Sequence, residues 1–437
     1  MKSYKLILGL AAMVMLIPLK SFAQFTVDGQ ILVRSEFRNG YNKPIQEGLD
    51  PAGFIAHRAR LQAAYKLDRF NFYMSVQDVR TWGSTSQANI SDDFLSVHEA
   101  WGEVNFGENW KIKLGRQELN YDNFRFLGNL DWALQARSHD FALVKYEKDK
   151  AKLHFGGGFN QDGQKLNGNI YTIPNQYRAA QLIRFENSLG KVDYSLLFWN
   201  EGRQWTTKNS NGTITDQGVR FRQTLGIPTL RTSIKNTTLS GYFYSQFGED
   251  VAGKKVSAYN ASAQVSQLLI NREDGKRWRA TLGYEIISGS DPGSEKNNSY
   301  TLQYGTNHLY NGYMDWYFVG NTWENSVGLK DLYLRSRYEF NPKFWVQTDF
   351  HSFSAHAEPG LPSTSFSSEK GLGSELDFTF GWIIHEAVSL QGGYNRYFLS
   401  DTMRGLQGGN LKDQQNWAYL MVVFRPTSKA KFIGVLQ

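Results

Sequence analysis

Arginine and lysine recur at every second residue over many stretches of this chain, with apolar residues between them. Arg58, Arg60 and Lys66 alternate with Ala59, Leu61, Tyr65 and Leu67. Lys111 and Lys113 alternate with Trp110, Ile112 and Leu114, and Arg184, Arg220, Arg222, Arg277, Arg279, Arg335 and Arg337 stand in similar stretches. Side chains of an extended strand point alternately to opposite faces, so each set shares one face. A wall of fixed cations suits the passage of anions, because the guanidinium fork pairs bidentately with carboxylates and stays charged. Glu99, Glu103, Glu186, Glu285, Glu339, Glu375 and Asp377 share that face. They are the expected partners of the arginines, limiting repulsion and keeping a passing anion from sticking. Tyr73, Trp101, Tyr242, Tyr244, Tyr333 and Trp345 also fall on the charged face, where rings either stack on sugars or fill the interior.

Other groupings carry less chemistry. His98-Glu99, and His308 with Asp315, resemble metal or hydrolase pairs, but the 8 histidines show no H-x-x-x-H or H-E-x-x-H spacing. The absence of cysteine excludes a disulfide framework and thiolate metal sites. Gly156-Gly157-Gly158 is followed by no Lys-Ser/Thr, so it is no phosphate loop. Asp291 to Asn297 is polar but lacks the regular carboxylates of a calcium loop. His351 and His356 near Ser352 and Ser354 come nearest to a hydrolytic set, with no acid arranged beside them. No enzyme activity, metal, cofactor or nucleic-acid partner is expected.

The elements that must position these residues follow from period-two alternation. Eighteen candidate strands lie near 25–38, 54–67, 69–80, 94–106, 109–118, 138–148, 151–160, 176–187, 190–201, 216–226, 236–247, 255–270, 276–289, 330–340, 343–354, 373–385, 387–398 and 416–425. An even number suits a bacterial barrel with both termini in the periplasm. Short connections such as Leu67-Asp68-Arg69 and His385-Glu386-Ala387 would be periplasmic. Long polar ones at 39–53, 81–93, 119–137, 161–175, 202–215, 290–329, 355–372 and 399–415 would be extracellular or folded inward. A soluble sandwich would put Val, Ile and Leu on the apolar face; here that face mixes aromatics, Gly and Ala, and aromatics gather at strand ends as in interfacial girdles. Mean hydropathy of −0.48 with 15% aromatics fits a barrel with polar lumen and loops. The expected fold is an all-β, transmembrane, antiparallel up-and-down β-barrel of about 18 strands, a single domain over 24–425.

The ends set the compartment. Lys2 and Lys5 precede an apolar run from Leu6 to Ile17, too short to span as a helix, and Ser21-Phe22-Ala23 offers a cleavage site. Residues 1–23 therefore read as a signal peptide. Its removal takes Lys2, Lys5 and Lys20 and no acids, so the net charge falls from +7 to +4. The location of the arginines thus says more than net charge does. Trp417 to Phe424 reads as the closing strand that the outer-membrane assembly machinery recognises, and 426–437 as a periplasmic tail. Outer-membrane lipids are the expected surroundings.

Residues 109–146 combine a strand, Gly115-Arg116-Gln117-Glu118, an aromatic segment bearing Arg125 and Arg137, and a second strand from Phe141. An inward loop would carry Arg125 and Arg137 to a constriction. Arg116 is out of phase with Lys111 and Lys113; a bulge at Gly115, or the strand ending there, would turn it inward. Together with the RAR strand (58–60), LGNLDW (127–132) and Tyr304-Gly305-Thr306-Asn307-His308 leading to Gly312-Tyr313-Met314-Asp315, this stretch resembles the bacterial alginate export family of outer-membrane porins. The resemblance spans the mature chain. It implies a monomeric eighteen-stranded barrel with an arginine- and lysine-lined lumen, narrowed by inward loops and passing an anionic polyuronate. The chain is shorter than a dedicated exporter, so the solute can differ. The leading expectation is an anion-selective porin for an acidic polysaccharide or its oligomers; the alternative is a general or differently selective porin for small anionic solutes.

Overall fold

The computed structural model describes residues 24–88, 94–302, 304–319, 323–361, 369–426 and 432–435. The expected signal peptide, 1–23, lies outside the described residues. The first nine strands are β1 (Gln24–Asn39), β2 (Ala52–Leu67), β3 (Phe70–Thr81), β4 (Leu95–Asn105), β5 (Trp110–Gln117), β6 (His139–Lys148), β7 (Ala151–Phe159), β8 (Ala179–Leu189) and β9 (Val192–Lys208). The rest are β10 (Ile214–Ile234), β11 (Thr237–Glu249), β12 (Lys255–Asn271), β13 (Arg277–Ile287), β14 (Leu329–Asn341), β15 (Phe344–Ser354), β16 (Gly371–His385), β17 (Val388–Leu399) and β18 (Gln415–Phe424). Each pairs antiparallel with its sequence neighbours, and β1 pairs with β18 from Ile31–Phe424 to Asn39–Asn416. The sheet is a closed barrel without an open edge, the condition for strands to cross a bilayer.

Burial is inverted relative to a soluble protein. Arg58, Gln77, Asn260, Asp349, Glu375 and Asn395 are buried, whereas Leu61, Phe72, Leu114, Ile183, Leu225, Leu282, Leu334, Phe350 and Leu420 are exposed. The apolar residues form the outer, lipid-facing surface and the polar ones face the lumen. Aromatic rings cluster at the short-turn end, as in Phe106–Trp110–Tyr146 and Phe340–Phe344. These rings, apolar in body and able to sit at headgroup level, mark one membrane interface.

Short and long connections alternate, with two departures from expectation. The hairpin β9–β10 runs on well beyond 201, so the long loop expected at 202–215 shrinks to a turn at 209–213. At its lower end β10 continues to Ile234 past a register break at Ile227/Leu230, where Pro228 lacks the N–H that a regular ladder needs. A short helix, α1 (Asp401–Gln407), sits in the expected loop 399–415 and is capped by the Ser400 hydroxyl, which accepts from the Met403 amide.

The lumen is not an open tube. The first inward loop (118–138) and the described residues of the second (288–302, 304–319 and 323–328) lie within it and bury Leu119, Phe126, Leu127, Trp132, Tyr300, Leu302, Trp316 and Tyr317 in one apolar cluster with lumenal residues such as Trp199, Tyr244, Tyr397 and Trp417. The Trp132 ring lies flat on the His308 imidazole, centroids 3.9 Å apart, joining the two loops.

Candidate functional site

The first inward loop is tied to β1–β4 by side chains that sequence alone places on the lumenal wall. Arg58 donates twice to the Gln30 amide oxygen (2.9 and 2.7 Å), once to the Leu134 carbonyl (3.1 Å), and pairs with Asp131 at 2.8 Å. Arg60 forks onto the Gln77 oxygen at 2.9 and 2.6 Å. Burial alone would raise the Asp131 carboxyl; Arg58, Arg425 and Arg60 outweigh it and hold it below the usual range. Arg34 donates to the Trp132 carbonyl at 2.8 Å and stacks over its ring. A β-bulge between the Ser75 and Val76 pairings makes His98 the extra residue of β4. His98 meets Glu118 at 2.9 Å, Asn129 donates to the other Glu118 oxygen, and Glu99 accepts from the Glu118 amide. This cluster, the one group of three possible metal ligands among the described residues, is already engaged in holding the loop.

Arg125 reaches the opposite wall. Its guanidinium forks onto Glu285 at 2.9 and 2.7 Å, donates to Asn311 at 2.6 Å and lies over the Tyr310 ring. Both members of the pair are almost wholly buried, so each depends on the other to offset its lost hydration. Arg137 donates to the Gly305 carbonyl at 2.9 Å, and burial pulls its guanidinium down to about 10. Both constriction candidates thus join the first loop to the second.

The second loop is held mainly from β14–β16. Glu375 accepts from the Met314 amide at 2.7 Å, Asp377 from the Tyr313 amide at 3.3 Å, and Asp331, which His351 meets at 2.9 Å, accepts from the Asn311 side chain at 3.1 Å. The adjoining Gly312 has φ +81°, and a Cβ there would fall 2.4 Å from the Glu375 carboxyl, so the close approach needs glycine. The His308–Asp315 pair, 2.7 Å apart, is completed by the Tyr41 hydroxyl on Asp315 and is a buried joint of this loop.

The remaining space lies along β8–β14. Toward the long-loop end a cavity of about 950 Å³ is lined by Arg203, Arg222, Lys208, Lys254, Glu324 and neighbours. The Arg222 Nε and Nη1 are buried without a hydrogen-bond partner. Lower down, a cavity of about 710 Å³ is bounded by Arg184, Tyr242, Glu285, Tyr333 and Arg335. At the short-turn end a third, of about 570 Å³, is walled by Arg231, Arg277, Arg279, Arg335 and Arg337 with Glu339 as the acid among its lining residues. Arg335 is held by Asp349 at 2.9 Å and Arg277 by Glu339 at 2.7 Å, while Arg337 lies 3.9 Å over the Trp345 ring.

Several expected path residues are placed differently. Arg58, Arg60 and Arg125 are buried anchors, screened from any passing solute. Arg184 is bound by Asp122 and Glu186, and Arg220 stacks on Trp205 and donates to the Val251 carbonyl. Lys111 pairs with Glu147 at 2.7 Å, Lys113 sits over the Trp101 ring, and Lys66 is exposed at the short-turn rim. Glu103 pairs with Lys145. Glu375 and Asp377, expected to serve arginines, serve loop amides. Arg116 is corrected outright: the register through Gly115 is unbroken, no bulge turns the strand, and Arg116 stays on the outer face, paired with Asp140 at 3.0 Å. The expected periplasmic tail is corrected in part, because residues 432–435 return into the lumen. Ile433 exchanges two hydrogen bonds with the lumenal Gln391 amide (2.8 and 3.1 Å). Sequence reasoning missed Arg34, Arg203, Arg231, Asp122, Asp131, Asp331 and Asp349. For Arg34, Arg203, Asp331 and Asp349 the strand alternation was an available signal.

No family model matches this sequence, and no curated protein matches it. Solved structures do. The chain is similar to OccAB4 of Acinetobacter baumannii (TM-score 0.59, 11% identity, covering 92% of this chain and 98% of that one). It is similar to OpdL of Pseudomonas aeruginosa (TM-score 0.58, 11% identity, 92% and 98% covered). It is also similar to OpdK of the same organism, solved with vanillate (TM-score 0.56, 10% identity, 91% and 98% covered). These likenesses support the barrel class implied by the alginate-export resemblance, not the alginate-export assignment within it. At such identities they establish the fold alone: a closed eighteen-stranded barrel of the outer-membrane type.

Proposed function

We propose that this chain is an outer-membrane porin, and no enzyme, that passes small anionic solutes. The observation that carries the reading is the short-turn cavity, where five arginines and one glutamate face about 570 Å³. Arg231 and Arg279 are exposed to that space. In a lumen walled by protein and lipid, fixed cations lower the barrier to a carboxylate and raise that of a cation. The ion pairs of Arg335 and Arg277 moderate the field, so an anion is attracted without being trapped.

The cavities favour a single acidic sugar or aromatic acid over a polyuronate chain. Two loops with a common apolar core occupy the lumen, and the free space is divided into chambers of about 570 to 950 Å³. The neighbour solved with vanillate, an aromatic carboxylate, agrees with this solute size. Passage of polyuronate oligomers is the finer reading that the sequence resemblance adds.

The test is reconstitution in a planar bilayer, with the reversal potential measured under a KCl gradient and current block titrated separately with benzoate, glucuronate and an oligouronate. Anion selectivity that falls on replacing Arg231 and Arg279 supports the reading. Cation preference, or a current indifferent to those residues, overturns it. Block by the oligomer at lower concentration than by either monomer would favour the polyuronate path.

A further inference from the structure

The described part of the C-terminal tail is a built structure inside the barrel, in a position to narrow its periplasmic mouth. β18 ends at Phe424 at the short-turn side, and the Arg425 amide still bonds to Ala387 in the last turn (2.8 Å). The Arg425 guanidinium points inward to Asp131 of the first loop at 3.6 Å. Residues 432–435 then stand against the lumenal wall. Ile433 is 4% exposed and Val435 9%. The Gln391 side-chain amide mimics a neighbouring strand, accepting from the Ile433 N–H and donating to the Ile433 carbonyl, while it also donates to the Tyr419 hydroxyl at 3.0 Å. Two-way pairing of one buried amide with one peptide unit satisfies both partners and fixes the segment's register.

Two aromatic rings complete the seat. Phe432 meets Trp345 edge-on, centroids 5.3 Å apart, and itself lines the arginine cavity. Gly434, at φ +71°, lies so close to Trp132 that a Cβ would fall 2.1 Å from the ring. Any larger residue there must displace either the tail or Trp132. The segment thus stands between the packed side of the lumen and the arginine cavity. Gly434 lies against the Trp132 ring, and Phe432 packs on Trp345 and borders the arginine cavity.

We propose that residues 432–435 form a tethered exit plug, which limits conductance by occupying the periplasmic mouth beside the arginine cavity. This rests on the porin reading above. The seat is small: one amide pair, two ring contacts and two buried aliphatic side chains hold it. Such a segment can leave without disturbing the strand pairing of the barrel.

The experiment compares single-channel conductance of the refolded full chain with that of a chain ending at Pro426. The same comparison is made for Gly434→Val, which keeps the full length of the chain but cannot fit against Trp132. A third protein, Gln391→Leu, keeps the chain at full length and removes the amide that pairs with the Ile433 peptide. Truncation, Gly434→Val and Gln391→Leu should each raise conductance at least about twofold. Equal conductance of the full and truncated chains overturns the plug and leaves the porin standing. Silence of both forms overturns the porin reading and the plug with it. Rapid maleimide labelling of a lone Ile433→Cys in the closed channel overturns the seat itself.

Discussion

The lumen has two unlike halves built from the same residue types. Along β1–β4 and β15–β18, Arg34, Arg58, Glu99, Glu375 and Asp377 are bonded to groups of the inward loops. Along β8–β14, arginines of the same parity border open cavities, and in the short-turn cavity five of them face a single acid, Glu339. Arg58 and Arg279 illustrate the difference. Both are lumenal arginines on alternating strands, but Arg58 spends its donors on Gln30, Leu134 and Asp131, while Arg279 lies open to the lower cavity. The inward loops decide which half is which. Where they are seated, a guanidinium is an anchor; where they are absent, it contributes to the field that a solute meets. Counting arginines on lumenal strands therefore overstates the pathway, and a buried ion pair is a statement about loop position before it is one about transport.

The comparison breaks first at Arg125 and Trp132. Arg125→Ala strands Glu285 in a buried site, and loss of one partner of a buried pair costs about 3–5 kcal/mol. Both loops should then loosen, read as faster proteolysis within 118–138 in a barrel that still runs as a compact band on unheated gels. Unchanged proteolysis would show that the loops are held without this pair. Trp132→Ala removes the ring stacked on His308, at a cost of about 3–5 kcal/mol for a large-to-small aromatic change. It should raise conductance, because the joint between the loops is lost.

The cavity half should respond in the opposite manner. Arg231→Glu with Arg279→Glu should move the reversal potential toward cation preference, while thermal stability changes by less than about 0.5 kcal/mol per exposed site. A large loss of stability with selectivity unchanged would reverse the roles assigned to the two halves. The smallest effect concerns pH. The folded Asp131 carboxyl lies below its ordinary value, so its ion pairs contribute fully above the unfolded value near about 4 and are lost as pH falls through the folded one. The proteolytic protection of loop 118–138 should hold from neutral pH to about 4 and decline only below it. A decline near pH 6 would assign the loop's hold to another group.

The strands were legible because alternation is a local signal. All eighteen appear where period-two patterning places them, with β10 the main exception, its lower third hidden by Pro228. Lumenal parity was legible for the same reason, and Arg116 was misplaced only by adding a bulge that the register does not contain. The loops were not legible in detail. Arg58 meets Leu134 and Arg125 meets Glu285 across 76 and 160 residues, and no periodicity encodes such pairings. Nor does the chain announce which acids will serve backbone amides, as Glu375 and Asp377 do. The helix at Asp401–Gln407 did carry a local signature in its Ser400 cap and the glycine after it. The tail's return into the lumen depends on Trp132 and Gln391, both remote in sequence.

The flat stack of Trp132 on His308 also dictates an order of events in assembly. The rings are 176 residues apart, and their loops hang from strands on different parts of the wall. Contacts so distant in sequence form late, after the chain between them is ordered. The β1–β18 seam joins residues still further apart, such as Ile31 with Phe424, so by the same reasoning the joint between the loops should form before the barrel closes. A barrel whose loops meet before its seam is made would reach the membrane already filled, never standing there as a wide hole.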